Sequence, residues 1–453
     1  MADKKRGELI EKGIDVVTSG NEKVTVNYLI SDKGGQGDVY HATFRGKDYA
    51  MKWYNKHPED VIGSLQYKTI NGICGAGKRP DEKYIWPLFL VTEENPSNGK
   101  LFGYLMELLP KNYYEMDDFL RNDIDPKKAR FSSYNAMLAA GMNIAYLMQK
   151  LHLKGYSYKD LNPKNFAIHP ETGDVLVIDN DNVSVDGGLC TVKGMKGYMA
   201  PEIPRSKYEK SPSIVTDYYS LAVILYRLFF VDHPMDGKLW EKVAVCTDEV
   251  EEHLYAIKPV FHFDPNNDCN RPTRVYAPNA LQRWRAMPQE IKSLFITAFT
   301  EGIDSPEKRS PEGVWINTIS KCRDKLIRIN PEREQFVNFN DVKSVPPRCL
   351  GIKIKGHRVA LYPRKAIYQI SVNGNFKQYG TIAAGITYNK QLDSLMIRNL
   401  SKDTWRGWSP KTKTLTDIAN GQEYPISPGV QIEFNKENPK IVGEVFDPRA
   451  AHK

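Results

Sequence analysis

Hydrophobic and polar positions change rhythm several times along this chain, and each change predicts a different kind of element. Between residues 132 and 152, Met137, Leu138, Ile144, Ala145, Leu147, Met148 and Leu151 recur at helical spacing, which predicts a long helix with one face in a core. Just after Asp217, the apolar residues Leu221, Ala222, Val223, Ile224, Leu225 and Leu228 surround a second helix on nearly every side. That helix should be buried, and Asp217 at its start then needs hydrogen-bond donors around its carboxylate. Val175-Leu176-Val177-Ile178 reads as a short buried strand, entered from a hairpin turn at Gly173-Asp174. Tyr49-Ala50-Met51-Lys52 lies in alternating surroundings of strand character. After Gly351 the pattern becomes short alternating runs: Val359-Ala360-Leu361-Tyr362, Ile367-Tyr368-Gln369-Ile370, Ser394-Leu395-Met396-Ile397 and Val430-Gln431-Ile432-Glu433-Phe434. Turn signals at Asn373-Gly374 and Asn420-Gly421 separate them, and together they predict a β-sandwich.

These rhythms divide the 453 residues. Residues 1–25 read as a polar extension, 26–107 as a strand-rich unit and 108–325 as a helical one. Residues 326–345 are polar and end at Pro346-Pro347, so they read as a connector to an all-β unit over 346–453. A hydrophobic content of 41% suits a soluble chain with a sizeable core. No apolar run approaches the roughly 18 residues of a membrane span, and the charged start Met1-Ala2-Asp3-Lys4-Lys5-Arg6 is no signal segment. The expectation is a cytoplasmic protein without a membrane partner. Six scattered cysteines suggest neither a disulfide framework nor a zinc site.

Charge changes the picture only when it is divided. From Pro346 onward there are 17 Lys and Arg against 8 Asp and Glu, so the overall surplus of +8 belongs to the C-terminal unit. Its basic residues are dispersed through strand-like segments rather than gathered into a patch. A solvated surface is expected, and a nucleic-acid partner is not.

The chemistry sits between the two long helices. Tyr158-Lys159-Asp160-Leu161-Asn162-Pro163-Lys164-Asn165, followed by Asp179 at the end of the apolar strand, spaces three oxygen donors as phosphoryl transfer from ATP needs them. Asp160 would orient an acceptor hydroxyl, and Asn165 and Asp179 would hold magnesium. Upstream, Gly34, Gly35 and Gly37 in Gly34-Gly35-Gln36-Gly37-Asp38-Val39-Tyr40 allow backbone amides to approach phosphates, and Lys52 supplies a point charge to them. Downstream lie Gly197-Tyr198-Met199-Ala200-Pro201-Glu202 and Thr216-Asp217-Tyr218-Tyr219-Ser220-Leu221.

In that order these signals resemble a eukaryotic-type Ser/Thr protein kinase over roughly residues 26–325. The resemblance implies an α+β bilobal kinase fold, with a small lobe over 26–107 and a large lobe over 108–325, followed by the small all-β sandwich. It also implies ATP and Mg2+ as cofactors and a protein substrate. Val39 and Ala50 would line the adenine pocket, Met106 would gate its rear, and the backbone C=O of Glu107 and N–H of Leu109 would meet the adenine edge. Asp217 would anchor the catalytic-loop backbone, and Glu202 would pair with Arg309. Met51-Lys52-Trp53-Tyr54, Tyr84-Ile85-Trp86-Pro87-Leu88, Ile178-Asp179-Asn180-Asp181-Asn182, Phe263-Asp264-Pro265 and Asn270-Arg271-Pro272 are similar to a bacterial branch found in tellurite-resistance-type stress modules. There a metal-dependent protein phosphatase and a von Willebrand A-type protein are companions.

Several positions depart from the family pattern. Asp32 stands where the first glycine of the phosphate loop is expected, Asn162 where a Lys is usual, and Met195 where a Thr is usual. The helix that should supply a Glu to Lys52 is expected to begin near Pro58, with Glu59 or Gln66 as the residue facing the lysine. His152 and His169 are expected to be packing or surface residues. In the last unit, the run from Leu395 through Arg398-Asn399-Leu400-Ser401 to Trp405 resembles the second half of a forkhead-associated domain. Arg364 is the candidate stand-in for its phosphate-reading arginine, in surroundings that do not match. The leading expectation is an active kinase; a nucleotide-binding pseudokinase scaffold and a phosphoprotein-binding adaptor remain open.

Overall fold

Alternation in the first hundred residues closes a barrel. The computed structural model describes residues 7–32, 35–57, 61–94, 101–121, 125, 127–188 and 194–450. A short helix α1 (Gly7–Glu11) precedes β1 (Val16–Thr18), β2 (Lys23–Ser31), β3 (Gly37–Phe44) and β4 (Lys47–Tyr54); then follow α2 (Leu65–Ala76), β5 (Phe89–Glu93) and β6 (Phe102–Met106). The strands close in the order β1-β2-β3-β4-β6-β5 around Tyr40, Met51, Trp53, Val91 and Leu105. Both neighbours of β4 rely on glycine to approach it. A Cβ on Gly37 would lie 2.2 Å from the carbonyl oxygen of Trp53, and one on Gly103 would lie 2.3 Å from that of Lys52. The strand bearing Lys52 is thereby clamped. The barrel begins at Val16, upstream of the expected boundary at 26: β1 pairs with both β2 and β5, and Leu9 of α1 is buried against the barrel. Three apolar residues within four positions, Ile14, Val16 and Val17, outweigh the polar composition of that stretch.

The large lobe contains β7 (Tyr114–Glu115), α3 (Met116–Phe119), α4 (Tyr134–His152), β8 (Tyr156–Ser157), β9 (Phe166–Ile168), β10 (Val175–Val177) and β11 (Ser184–Val185). It continues through α5 (Glu202–Arg205), α6 (Ile214–Phe230), α7 (Asp248–Glu252), α8 (Pro278–Arg283), α9 (Gln289–Phe299), α10 (Glu301–Asp304) and α11 (Glu312–Lys325). The two long helices form where their apolar stripes place them. Ser133 caps α4 by accepting from the Ala136 amide at 3.1 Å. The hairpin β9–β10 also forms, and its turn rests on α4. Gly173 has φ +70°, and a Cβ there would lie 2.0 Å from the Ala136 carbonyl oxygen.

The segment 326–345 is not a plain connector. It folds as the hairpin β12 (Leu326–Asn330) and β13 (Arg333–Phe336), with Leu326 and Ile327 at its start and Val337 and Phe339 just past its end buried. Beyond it run β14 (Leu350–Ile354), β15 (His357–Leu361), β16 (Ala366–Tyr368), α12 (Gln369–Asn373), β17 (Ile382–Asn389) and β18 (Ser394–Asn399). The unit ends with β19 (Trp405–Ser409), β20 (Thr414–Ile418), β21 (Glu423–Ile426), β22 (Gln431–Glu433) and β23 (Val442–Phe446). Two sheets, ordered β15-β14-β23-β22-β19-β20 and β16-β17-β18-β21, share one apolar core. The expected strand at 367–370 stops at Tyr368, where α12 begins.

This all-β unit packs on the last large-lobe helix, α11, through polar contacts. The fully buried Arg323 of α11 stacks its guanidinium 3.5 Å from the ring centroid of Tyr368 and donates to the Tyr379 carbonyl oxygen. Next to it, the buried Asp324 carboxylate accepts from the Ser371 hydroxyl at 2.7 Å and pairs with His357 at 2.6 Å. Lys365 donates to the carbonyls of Arg323 at 2.5 Å and Leu326 at 2.8 Å. Tyr379 further donates to Asn143 of α4, whose amide reaches the Gly173 carbonyl at 2.8 Å. A desolvated cation–π contact is worth about 2 kcal/mol and a hydrogen bond about 1 kcal/mol. Arg323→Ala should therefore destabilise the full chain by about 3 kcal/mol, seen as a lower melting temperature in calorimetry. An unchanged melt would mean that the all-β unit is only tethered.

Candidate active site

Strand β4 delivers Lys52 to the floor of the cleft between the lobes. In the antiparallel register, Lys52 stands opposite Val39 on β3 and Tyr104 on β6, while Ala50 stands opposite His41 and Met106. Val39, Ala50, Lys52 and Met106 therefore share one face, which is the arrangement expected of an adenine and phosphate floor. Glu107 follows at the exposed edge, where its carboxylate accepts from Arg79 at 2.8 Å, and Leu109 is exposed beside it. Gly35 is exposed, with open space around its Cβ direction, whereas the demand for glycine at Gly37 comes from the Trp53 backbone. Asp32 is exposed. Gly34 and Glu59 lie outside the described residues.

The ammonium of Lys52 is almost fully buried and is met from across the cleft by two carboxylates. Asp179 Oδ1 lies 2.5 Å from it and Asp181 Oδ2 lies 2.6 Å from it, with Gln36 Oε1 at 3.2 Å. Burial alone would lower the lysine's pKa, but the two carboxylates outweigh burial and raise it, so Lys52 is charged. Asp181 has no exposed side-chain surface, and the Tyr54 hydroxyl donates to the same oxygen that Lys52 engages. Burial would raise its pKa; the lysine and that hydroxyl reverse the effect and hold it below the usual carboxylate range. Asp179 keeps 40% of its side chain accessible. Gln66, on α2, points here as one of the two expected alternatives: its amide donates to the Asp181 carbonyl oxygen at 3.2 Å and to the Tyr54 hydroxyl at 3.3 Å. It makes no ion pair, being neutral.

The loop that carries Asp160 is held from below. Asp217 accepts from the amides of Tyr158 at 2.6 Å and Lys159 at 3.2 Å, which supplies the donors its burial requires. The Tyr158 hydroxyl donates to the carbonyls of Ile178 at 2.7 Å and Asp179 at 2.8 Å, joining the loop to the end of the hairpin. Asn165 lies beside Asp179 because the Ile178 amide donates to the Asn165 carbonyl at 2.8 Å; its side-chain oxygen accepts from the Asn162 amide, also at 2.8 Å. Both Lys159 (φ 69°) and Asp179 (φ 58°) sit in the left-handed region, a conformation found at functional sites. Asp160 is mostly buried, and burial raises its pKa against the opposing hydrogen bonds from Asn162 and the Met195 amide. Glu202 and Arg309 form a bidentate pair at 2.7 and 2.8 Å, as expected.

His152 is packed, as one of the two expected alternatives, against the Tyr218 ring at 5.7 Å, and it is also held between Asp217, at 3.1 Å, and Glu312. Burial alone would lower its pKa, yet the two carboxylates raise it to about 9. Its position at the end of the α4 stripe hides this role, since its partners lie 65 and 160 residues away.

The oxygen set fits magnesium. Asp160 Oδ1, Asp181 Oδ1 and Asn182 Oδ1 are buried without a hydrogen-bond partner among the described residues, and Asp179 and Asn165 add further hard oxygens. Among the described residues no group of three or more His, Cys, Asp or Glu side chains is gathered as a self-sufficient metal site. A cation here would need phosphate oxygens as co-ligands, which is how magnesium is commonly bound. Among the described residues no helix is long and apolar enough to cross a membrane.

Known proteins resemble this chain over much of the same stretch. The family model described as protein kinase domain matches residues 32–300. RGS domain-containing serine/threonine-protein kinase A of Dictyostelium discoideum is 26% identical over 237 residues, 49% of this chain and 18% of that protein. cAMP-dependent protein kinase catalytic subunit 2 of Drosophila melanogaster is 26% identical over 251 residues, 52% of this chain and 61% of that protein. The match therefore spans less than two-thirds of either relative. A solved structure, the ROP18 kinase domain in complex with AMP-PNP and sucrose, covers 68% of this chain and 81% of its own at 15% identity, with a TM-score of 0.44.

The raised His152 pKa has a pH consequence. A group whose pKa is higher in the folded than in the unfolded protein, where it is about 6.5, contributes stability that is complete below that value and is lost as pH rises through about 9. The melting temperature of the parent should fall more steeply between pH 7 and 10 than that of His152→Gln. Parallel pH profiles would show that the imidazole is neutral in the fold.

Proposed function

The chain belongs to the protein kinase domain family, and on that premise we propose that it is an ATP- and magnesium-dependent protein serine/threonine kinase. It transfers the γ-phosphoryl group to a protein hydroxyl. The observation that carries this reading is the meeting of Lys52 with Asp179 at 2.5 Å across the cleft, two residues 127 apart in sequence. Lys52 engages the α- and β-phosphates. Asp179 and Asn165 would hold magnesium, which would supply positive charge against the phosphates. Asp160 accepts a hydrogen bond from the acceptor hydroxyl and orients its oxygen towards the γ-phosphorus. The new P–O bond forms as the bond to the β-phosphate oxygen breaks, and the hydroxyl proton passes to Asp160. Val39, Ala50 and Met106 hold the adenine, with the Glu107 carbonyl and Leu109 amide at its edge.

The resemblance to the bacterial branch supports a place in a cytoplasmic stress-signalling module, with a metal-dependent protein phosphatase and a von Willebrand A-type protein as partners. For the C-terminal unit, structural or docking duty is the better reading. Asn399 spends its side chain on the Asp403 and Ile418 carbonyls and on Ser401, and Ser401 accepts from Trp405, so these polar groups knit a loop rather than face a phosphate.

Two variants test the roles. Asp160→Asn should lower turnover on the order of 10²- to 10⁴-fold with ATP affinity retained, measured by phosphate incorporation and calorimetry; parent-like labelling would remove Asp160 from the chemistry. Asp179→Ala should abolish the magnesium-dependent part of the thermal stabilisation by ATP. Stabilisation that persists would assign the metal to Asp181.

A further inference from the structure

Helix α2 contains no acidic residue anywhere in its sequence Leu-Gln-Tyr-Lys-Thr-Ile-Asn-Gly-Ile-Cys-Gly-Ala. In protein kinases a glutamate of that helix pairs with the phosphate-binding lysine, and the active geometry requires the pair. Here the lysine already has a buried carboxylate partner from elsewhere. We propose that Asp181, two residues beyond Asp179, is the positioning residue for Lys52, so that this protein sets its phosphate-binding lysine from the floor of the large lobe rather than from helix α2. The inference rests on the kinase reading above and adds to it how the site is assembled.

The two carboxylates on Lys52 differ in what else they can do. Asp179 is 40% accessible and faces the open cleft, so it can leave the lysine when phosphates and a cation arrive. Asp181 is fully buried, fixed by the Tyr54 hydroxyl on one side and backed by Gln66 at its carbonyl on the other. Tyr54 lies two residues beyond Lys52 on the same face of β4, so lysine and hydroxyl approach Asp181 as one rigid pair. Gln66 links α2 to this cluster through neutral hydrogen bonds at 3.2 and 3.3 Å. Displacing α2 would cost those bonds without removing the countercharge of Lys52. The usual device of switching a kinase by swinging this helix is thereby weakened.

The test moves the carboxylate back to the helix. ATP affinity by calorimetry and turnover on a protein substrate are measured for the parent, Asp181→Asn, Gln66→Glu and the double variant, in the full chain. A hydrogen bond between charged groups is worth about 1.5–3 kcal/mol, so Asp181→Asn should weaken ATP binding by roughly tenfold or more. Gln66→Glu in that background should restore a large part of the loss, because it supplies a carboxylate from the neighbouring position. Rescue is a result that a merely structural Asp181 would not give. Parent-like affinity in Asp181→Asn, or a double variant no better than Asp181→Asn, overturns the proposal. If Asp181→Asn does not fold, the double variant decides: folded and ATP-binding supports the proposal, unfolded overturns it. A parent that binds ATP without transferring phosphate would remove the catalytic reading alone, since the affinity comparison still stands.

Discussion

A buried ammonium between two carboxylates is the interaction on which the rest of this structure depends. Lys52 cannot remain charged in the cleft without them, because an isolated ammonium loses several kcal/mol of hydration on burial. Both acids come from one short stretch, Asp179 to Asp181, and the lysine comes from the other lobe. Bringing them together fixes the closure of the cleft, the end of hairpin β9–β10 and the position of the catalytic loop. Everything beneath that stretch serves to hold it: the Tyr158 hydroxyl on the Ile178 and Asp179 carbonyls, Asp217 on the loop amides, and His152 bridging Asp217 to Glu312.

The C-terminal unit connects to the same frame. Tyr379 reaches Asn143, Asn143 reaches the Gly173 turn, and the turn sends β10 towards Asp179. Arg323, Asp324 and Lys365 desolvate their charges at this junction, which a loosely tethered domain has no reason to do. The all-β unit is thus built into the large lobe through α11 and α4.

Much of this was legible in the sequence where the signal is local. The stripe of α4, the all-round apolar α6 and the Gly173-Asp174 turn each follow from residues within one turn or strand, and so the return of Asp179 towards Asn165 could be foreseen. The Asp217 anchor and the Glu202–Arg309 pair followed from family resemblance and form as expected. What escaped depends on distant partners. Asp181 meets Lys52 across 129 residues, and only the left-handed turn at Asp179 aims it inward. A signal existed in the D-x-D spacing together with an acid-free helix, but either alone reads as surface chemistry. The carboxylate partners of His152 escaped for the same reason, and the hairpin at 326–336 was masked by its charged outer face.

The central claim is a division of labour between two neighbouring carboxylates, Asp181 for the lysine and Asp179 for the metal. A crystal structure of the full chain with magnesium and a non-hydrolysable ATP analogue tests it most directly. The account predicts a metal ligated by Asp179 and Asn165, with Lys52 bridging Asp181 and the phosphates. A metal ligated by Asp181, with Lys52 left on Asp179, would contradict it.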